Sequence, residues 1–348
     1  MHSHADNTRQ RILRSERGVT LVELMFGLVI GLVLIGAGYS VLQSSEKAMT
    51  VNDQTSEMQQ NARIAMELVS RDLKMAGFGM TSAVGNCGTA IVPADNNPGG
   101  ADTGPDSFSV VVPTQLSTLA AQARGTVATV TLQSGAVAAM VPDGFGTNSV
   151  ISVGGVHMSV VSNISGDVLT LSTQIGSPAV YPVGTQVYWL RCITYDIVRT
   201  TTANATTLCS GLAPCLRRGV SPSATTMVPV AEGIEDIQVA YACDGCATSV
   251  ADGVVDDQNA SGTFDTSDFV SNSSWNTSPM TADTIRLARV SIVARQTRSD
   301  PQWTQSAPQV VEDHNPTQDT GFNSTAYSQI RRRVFTRTIQ LRNVGLAS

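Results

Sequence analysis

Between Val19 and Leu42 runs a segment too apolar to stay on a wetted surface. Of its 24 residues 17 are apolar and four are Gly, and only Thr20, Glu23 and Ser40 are polar. At 1.5 Å rise per residue it spans about 36 Å as a helix, which covers a hydrocarbon core of about 30 Å. The preceding eighteen residues carry Arg9, Arg11, Arg14 and Arg17 against Asp6 and Glu16. A basic flank stays in the cytoplasm, so the long carboxy-terminal part is expected to cross. A secretory signal has a shorter apolar core, about 7–15 residues, followed by a small-residue cleavage site. A passive anchor fits the length but not Glu23, since a charge in hydrocarbon costs about 2.5–3.5 kcal/mol on insertion scales and usually has a function and a partner.

Composition removes other classes. Among 348 residues 42% are hydrophobic, 14% charged and 5% aromatic, a profile of neither a disordered chain nor a coiled-coil rod. With 22 basic against 28 acidic side chains the net charge is −6, and the only lysines are Lys47 and Lys74. No nucleic-acid partner is expected, because phosphate neutralisation needs a basic face. The run Arg331-Arg332-Arg333 reads as a solvated guard at a strand edge.

The junction Arg17-Gly18-Val19-Thr20-Leu21-Val22-Glu23 combines a charged leader ending in Gly, an apolar residue, Thr, two aliphatics and a carboxylate. In this order it resembles the processing site of the type IV pilin superfamily, departing only at Val19, where Phe is the more common residue. The resemblance implies that a prepilin peptidase, a membrane aspartyl protease, cuts between Gly18 and Val19 and that the new Val19 amine is methylated. The apolar helix is then retained. In a dry filament core Glu23 is tolerated if an opposite charge lies close, and the Val19 amine of a neighbouring subunit, one helical turn away, is a suitable partner. Gly27 and Gly31 form a small-x-x-x-small pair that lets helices approach closely, echoed by Gly36 and Ser40.

From Gln43 to Ala76 no Pro or Gly interrupts the chain, and Met58, Ala62, Ala65, Leu68 or Val69, Leu73 and Ala76 recur at spacings of three and four. This predicts an amphipathic extension over 43–76 of the spanning helix at 19–42, together a rod of about 87 Å. The segment Arg71–Phe78 resembles the helix end of PilW-like minor pilins, with Gly77 as the stop. From 77 to 348 short β-rich runs alternate with Gly, Pro, Asn and Asp, which predicts a β-rich exported head. Strands are expected at Ser107–Val112, Thr126–Gln133, His157–Val161, Val168–Ser172, Gln186–Val198, Ile237–Cys243, Thr284–Arg295 and Arg333–Asn343. The fold class is therefore α+β: a long amino-terminal helix followed by a mainly antiparallel, pilin-like sheet. Residues 95 to 185 look like an inserted pair or trio of hairpins. Gly233–Val239, Ile285–Arg295 and Arg332–Asn343 resemble the carboxy-terminal region of PilW-like proteins.

All six cysteines, Cys87, Cys192, Cys209, Cys215, Cys243 and Cys246, follow the apolar segment. In an exported head an even count favours disulfides, with Cys209–Cys215 and Cys243–Cys246 the simplest short closures. The motif Cys243-Asp244-Gly245-Cys246 lacks the second pair that a zinc site needs. Within Asp257–Asp268, Asp257, Asn259, Ser261, Asp265 and Asp268 stand at positions 1, 3, 5, 9 and 12 of a calcium loop, with Gly262 at 6 and the Thr263 carbonyl at 7. A solvated turn is the competing reading of the same residues. No cofactor is required otherwise.

No nucleophile elbow, zincin helix or phosphate loop is present, and His157 and His314 are the only histidines beyond the leader. The expected function is not enzymatic. The resemblance implies a minor pilin that sits in the bacterial inner membrane with its head in the periplasm and then joins an extracellular pilus. Its implied partners are other minor and major pilins, the prepilin peptidase and the inner-membrane assembly platform. Two other functions remain open on these residues: a minor pseudopilin of a type II secretion system, and a membrane-tethered periplasmic binding domain that never polymerises.

Overall fold

The computed structural model describes residues 18–176, 179–199, 213–220, 227–246, 250–305 and 307–344. Helix α1 covers Leu21–Met75. The chain divides inside this helix into a unit ending at Asp53 and a unit beginning at Gln54. In the first unit the helix carries its apolar side chains exposed, from Leu21 to Leu42. By length and composition this is a helix able to cross a membrane.

The second unit is a head built on one helical face. Met58, Ala62, Ala65, Met66, Val69 and Leu73 are buried, matching the spacing of the sequence, with Val69 rather than Leu68 fully covered. The helix ends because Gly77 adopts a φ of +76°, a left-handed conformation that costs Gly little.

Eleven strands follow: β1 (Ile91–Ala94), β2 (Ser107–Thr118), β3 (Ala123–Arg124), β4 (Thr129–Thr131), β5 (Val150–Val153), β6 (His157–Ser165), β7 (Val168–Leu171), β8 (Val180–Tyr181), β9 (Gln186–Val198), β10 (Cys215–Val220) and β11 (Val228–Glu232). Five more complete the head: β12 (Ile234–Cys243), β13 (Asn276–Thr277), β14 (Met280–Thr281), β15 (Ile285–Arg295) and β16 (Arg332–Gln340). The large sheet runs β1-β2-β9-β5-β6-β7-β4, with β10 also on β9 and β11 on β10. A three-stranded sheet runs β12-β15-β16, and β13-β14 and β3-β8 form two small ribbons. All paired strands among the described residues are antiparallel.

The long strand β9 has the predicted bounds. The other expected strands differ in their bounds, β6, β7, β12, β15 and β16 by one to four residues in all and β2 and β4 by more, the last two for local reasons. Strand β2 continues past Pro113 to Thr118, because β1 pairs only with Ser107–Val110 and leaves the missing Pro113 N–H on an open side. Strand β4 shrinks to Thr129–Thr131, since Val127 N donates to Arg124 O at 3.1 Å in a turn and Gln133 N to Thr118 O at 3.1 Å. The segment read as inserted hairpins supplies β5, β6, β7 and β4, attached to β9 through β5. It has its own core of Leu119, Val130, Leu132, Ile151, Val161 and Leu169. The main core joins the α1 face to β2, β9, β12 and β15 through Leu73, Phe108, Tyr195, Ile237 and Ile292.

Candidate functional site

The junction residues stand at the start of α1. Thr20 is its cap: Thr20 Oγ1 accepts from Glu23 N at 3.2 Å, and Thr20 O from Leu24 N at 3.1 Å. These bonds satisfy amides that the helix cannot, and they start the helix two residues after Val19. Glu23 lies in the first turn, where a carboxylate interacts favourably with the amino-terminal end of the helix dipole. Val19 is 68% exposed and Leu21 77%, so within its own unit the apolar surface around Glu23 is open among the described residues. A Cβ placed on Gly27 or Gly31 would meet no atom within 4 Å, which leaves both positions open to the backbone of another helix.

This segment coincides with one family match and the carboxy-terminal part of the head with another. Residues 13–39 match the prokaryotic N-terminal methylation motif. Residues 194–343 match Type IV Pilus-assembly protein W, from β9 through the sheet β12-β15-β16. Together these matches support a type IV pilin, PilW-like. A type IV-like pilin from Thermus thermophilus aligns over 82% of this chain and 97% of its own length, with 11% identity and a TM-score of 0.34. No curated protein matches the chain.

In the head of the pilin, the last turns of α1 are tied to the sheet by a buried carboxylate that the sequence reading passed over. Asp72 is fully buried. Its Oδ2 accepts from Tyr195 Oη at 2.6 Å and Arg218 Nε at 2.8 Å, and its Oδ1 from Arg71 Nε at 3.1 Å. Burial opposes the Arg218 charge, but Asp72 outweighs it and raises the guanidinium pKa. A signal was present: Asp72 falls into the spacing of Ala65, Val69 and Ala76, where an acid has no place unless it is paired.

A second network holds His314, 2% exposed, between Asp236 Oδ2 at 2.7 Å and Asp319 Oδ1 at 2.8 Å. Burial alone would lower its pKa, yet the hydrogen bonds and charges of Asp236 and Asp319 raise it to about 10. Arg199 Nη1 pairs with Asp319 Oδ2 at 3.0 Å. These groups line a cavity of about 290 Å³ together with Tyr327 and Arg332.

Two of the three arginines are not a solvated guard, whereas Arg333 is exposed on the edge strand β16. The Arg332 side chain is 2% exposed, bonded to Glu235 and to the Tyr327 carbonyl at 2.6 Å, and stacked 3.4 Å from the Tyr327 ring. Arg331 pairs with Asp300 at 3.1 Å and lies 4.0 Å from the Trp303 ring. Glu235, Asp300 and two aromatic rings come from distant parts of the sequence, which a local reading of three charges does not see.

The structure joins Cys87 to Cys192, with Cα atoms 5.5 Å apart, and Cys243 to Cys246 at 5.9 Å. Cys215 is also disulfide-bonded, while Cys209, its expected partner, lies outside the described residues. In the loop from Asp257 to Asp268 the acidic oxygens hold backbone amides. Asp257 Oδ1 and Oδ2 accept from Ser261 N at 3.1 Å and Gly262 N at 2.6 Å. Asp268, fully buried, accepts from Gln258 N at 2.9 Å and Asp265 N at 2.6 Å. Asn259 Oδ1 accepts from Ser261 N at 2.8 Å, Ser261 Oγ donates to Thr263 O at 2.9 Å and Asp265 Oδ1 accepts from Ser267 N at 2.8 Å. The loop is thus closed by its own hydrogen bonds, an arrangement compatible with a turn or with a calcium loop.

Proposed function

We propose that this pilin is a minor subunit of a type IV pilus, which assembles through α1 and helps to start the filament or to form its tip. In this reading the prepilin peptidase removes residues 1–18 and Val19 becomes the N-methylated first residue. Glu23 then pairs with the Val19 amine of an adjacent subunit, while Gly27 and Gly31 allow close helix contact. The partners are major and minor pilins and the inner-membrane assembly platform. The head faces the periplasm before assembly and the exterior afterwards, and its contribution is structural rather than catalytic.

The observation that carries this reading is Glu23 on the first turn of an exposed apolar helix, beginning two residues after Val19. A carboxylate there weakens an anchor but gives a docking helix a register. Mass spectrometry of the mature protein tests the first step, with N-methylated Val19 expected at the amino terminus. An amino terminus beyond Leu42 would overturn it. Sheared, purified pili are then expected to contain the protein at low copy. Its absence from pili, combined with a requirement in protein secretion, would assign it instead to a type II secretion pseudopilus.

A further inference from the structure

The loop between β1 and β2 crosses the segment before His314 and places Asp95, Asp102 and Asp313 side by side. One carboxylate oxygen from each lies within 4.8 Å of the others. Two oxygens bound to one ion at about 2.3–2.6 Å are at most about 5 Å apart, so the spacing fits a shared ion. The approach is fixed by the backbone, because Asp102 and His314 form a parallel bridge. It is fixed also by the loop, where Asn96 Oδ1 accepts from Thr103 N at 3.0 Å and Asn97 Nδ2 donates to Ala101 O at 3.0 Å.

The oxygens themselves supply an independent observation. Asp102 is fully buried. Its Oδ1 accepts from Asn97 N at 3.0 Å, but its Oδ2 is buried with no hydrogen-bond partner. Asp95 repeats the pattern, with Oδ1 bonded to Asn97 N at 2.8 Å and Oδ2 buried and unpartnered. Both oxygens of Asp313 are buried and unpartnered. Among the described residues no Lys, Arg or His pairs with any of the three, and His314 is already held by Asp236 and Asp319. A buried polar atom without a partner costs about 1–3 kcal/mol, and a buried charge more. The three acids leave four such oxygens unpartnered, with one oxygen of each acid within 4.8 Å of the others, a setting that favours a ligand.

We infer that Asp95, Asp102 and Asp313 form a divalent-cation site that takes calcium, separate from the loop at Asp257–Asp268. An all-oxygen carboxylate set selects a hard cation. Calcium accepts six to eight oxygens in flexible geometry, whereas magnesium demands a tight octahedron and sheds water reluctantly. A proton shared between two of the carboxyls would leave the third unmet, while one divalent ion can reach an oxygen of each. Burial and the charges of Asp313 and Asp95 raise the Asp102 pKa, the penalty that a bound cation removes. The ion would fasten the loop after β1 to the segment before His314, and so make the stability of the exported head depend on external calcium.

The test uses the full-length pilin in detergent, stripped with a chelator and titrated with calcium chloride or magnesium chloride. Calorimetry is expected to show a calcium site with a dissociation constant on the order of 10⁻⁴ M, in the range of extracellular modules, and weaker magnesium binding. The double variant Asp102→Asn, Asp313→Asn should lose one bound calcium per chain, whereas Asp257→Ala, Asp265→Ala should keep that site. Hydrogen exchange on the unaltered protein places the ion without any variant: calcium should protect peptides covering residues 95–106 and 311–314. Protection confined to 257–268, no protection at all, or unchanged calcium stoichiometry in the Asp102→Asn, Asp313→Asn protein would overturn the proposal.

Discussion

Tyr195 Oη lies 2.6 Å from Asp72 Oδ2, and through this contact the last turns of α1 are bonded to the central strand β9. Arg218 on β10 reaches the same oxygen at 2.8 Å and the Tyr195 hydroxyl at 3.1 Å. One buried acid therefore fixes helix, β9 and β10 at a single point. The charge is satisfied only as a set: without the acid, an arginine and a phenol are left in a poorly solvated place.

Asp72→Ala is accordingly expected to destabilise the head by about 3 kcal/mol or more, the scale for removing one partner of a buried pair. Chemical denaturation of the full-length protein checks it. Tyr195→Phe keeps the ion pair and should cost less, about 1 kcal/mol. Equal losses in the two variants would show that packing, not charge, holds the contact.

Gly77 allows a sharper test of the helix stop. A Cβ there would sit 2.6 Å from Ala90 Cβ and 3.0 Å from Asn343 O, at a φ of +76° that side chains rarely adopt. Gly77→Ala should lower stability by about 1–3 kcal/mol. Gly135→Ala, with a φ of +81° and open space around it, bears only the backbone strain and should lose less. A smaller effect at Gly77 than at Gly135 would contradict the close packing.

The His314 network predicts a pH dependence with a definite direction. The pKa of His314 is raised from 6.5 to about 10 by Asp236 and Asp319 against the effect of burial. The folded chain thus binds the proton more tightly than the unfolded one. The stabilisation is complete below about pH 6.5 and is lost as the pH rises through about 10. Melting temperature should fall between pH 7 and pH 10.5, and His314→Gln should flatten that slope. Parallel slopes in the two proteins would show that His314 is not held as the cation. Asp236, Asp319 and, through Asp319, Arg199 are the charged groups facing it.

Local periodicity made α1 and β9 legible, since a stripe at spacings of three and four or a long β-branched run needs no distant partner to be recognised. The unusual junction was legible for a chemical reason, because Glu23 has no place in a plain anchor. What escaped depended on residues far apart in sequence. Asp72 meets Tyr195 and Arg218 across 123 and 146 positions. Arg332 meets Glu235 across 97, and Asp102 meets Asp313 only because the chain forms a bridge at His314. Each acid or arginine alone reads as a solvated charge. The expected end of β2 at Val112 falls just before Pro113, a residue that normally ends a strand, and β2 continues because one side is unpaired there.

The disulfide Cys87–Cys192 closes a sequence separation of 105 residues, the kind of loop whose cross-link most restricts the unfolded chain. Its removal by the double variant Cys87→Ala, Cys192→Ala should cost about 2–5 kcal/mol. It also anchors the turn in which Val84 and Cys87 exchange backbone hydrogen bonds of 2.9 and 3.0 Å. Reductant should therefore destabilise the unaltered protein and have a smaller effect on the double variant. An equal response to reductant would place the labile bridge elsewhere.

Assembly itself is tested at Glu23. Removing the carboxylate relieves an insertion cost of about 2.5–3.5 kcal/mol, so Glu23→Val should enter the membrane at least as well as the unaltered protein. If the charge serves only the anchor, nothing further changes. If it pairs with the amine of Val19 on the next subunit, the same substitution leaves that amine unmatched in a dry helix bundle and docking weakens. The expected outcome is normal protein level and normal processing, with fewer filaments per cell and less of the variant in sheared pili. Glu23→Asp retains the charge on a shorter arm and should recover part of the loss, which a merely steric role of the side chain would not produce. Thr20→Ala removes the cap bonded to Glu23 N but keeps the charge, and should reduce incorporation less than Glu23→Val. Normal incorporation of Glu23→Val would exclude the pairing.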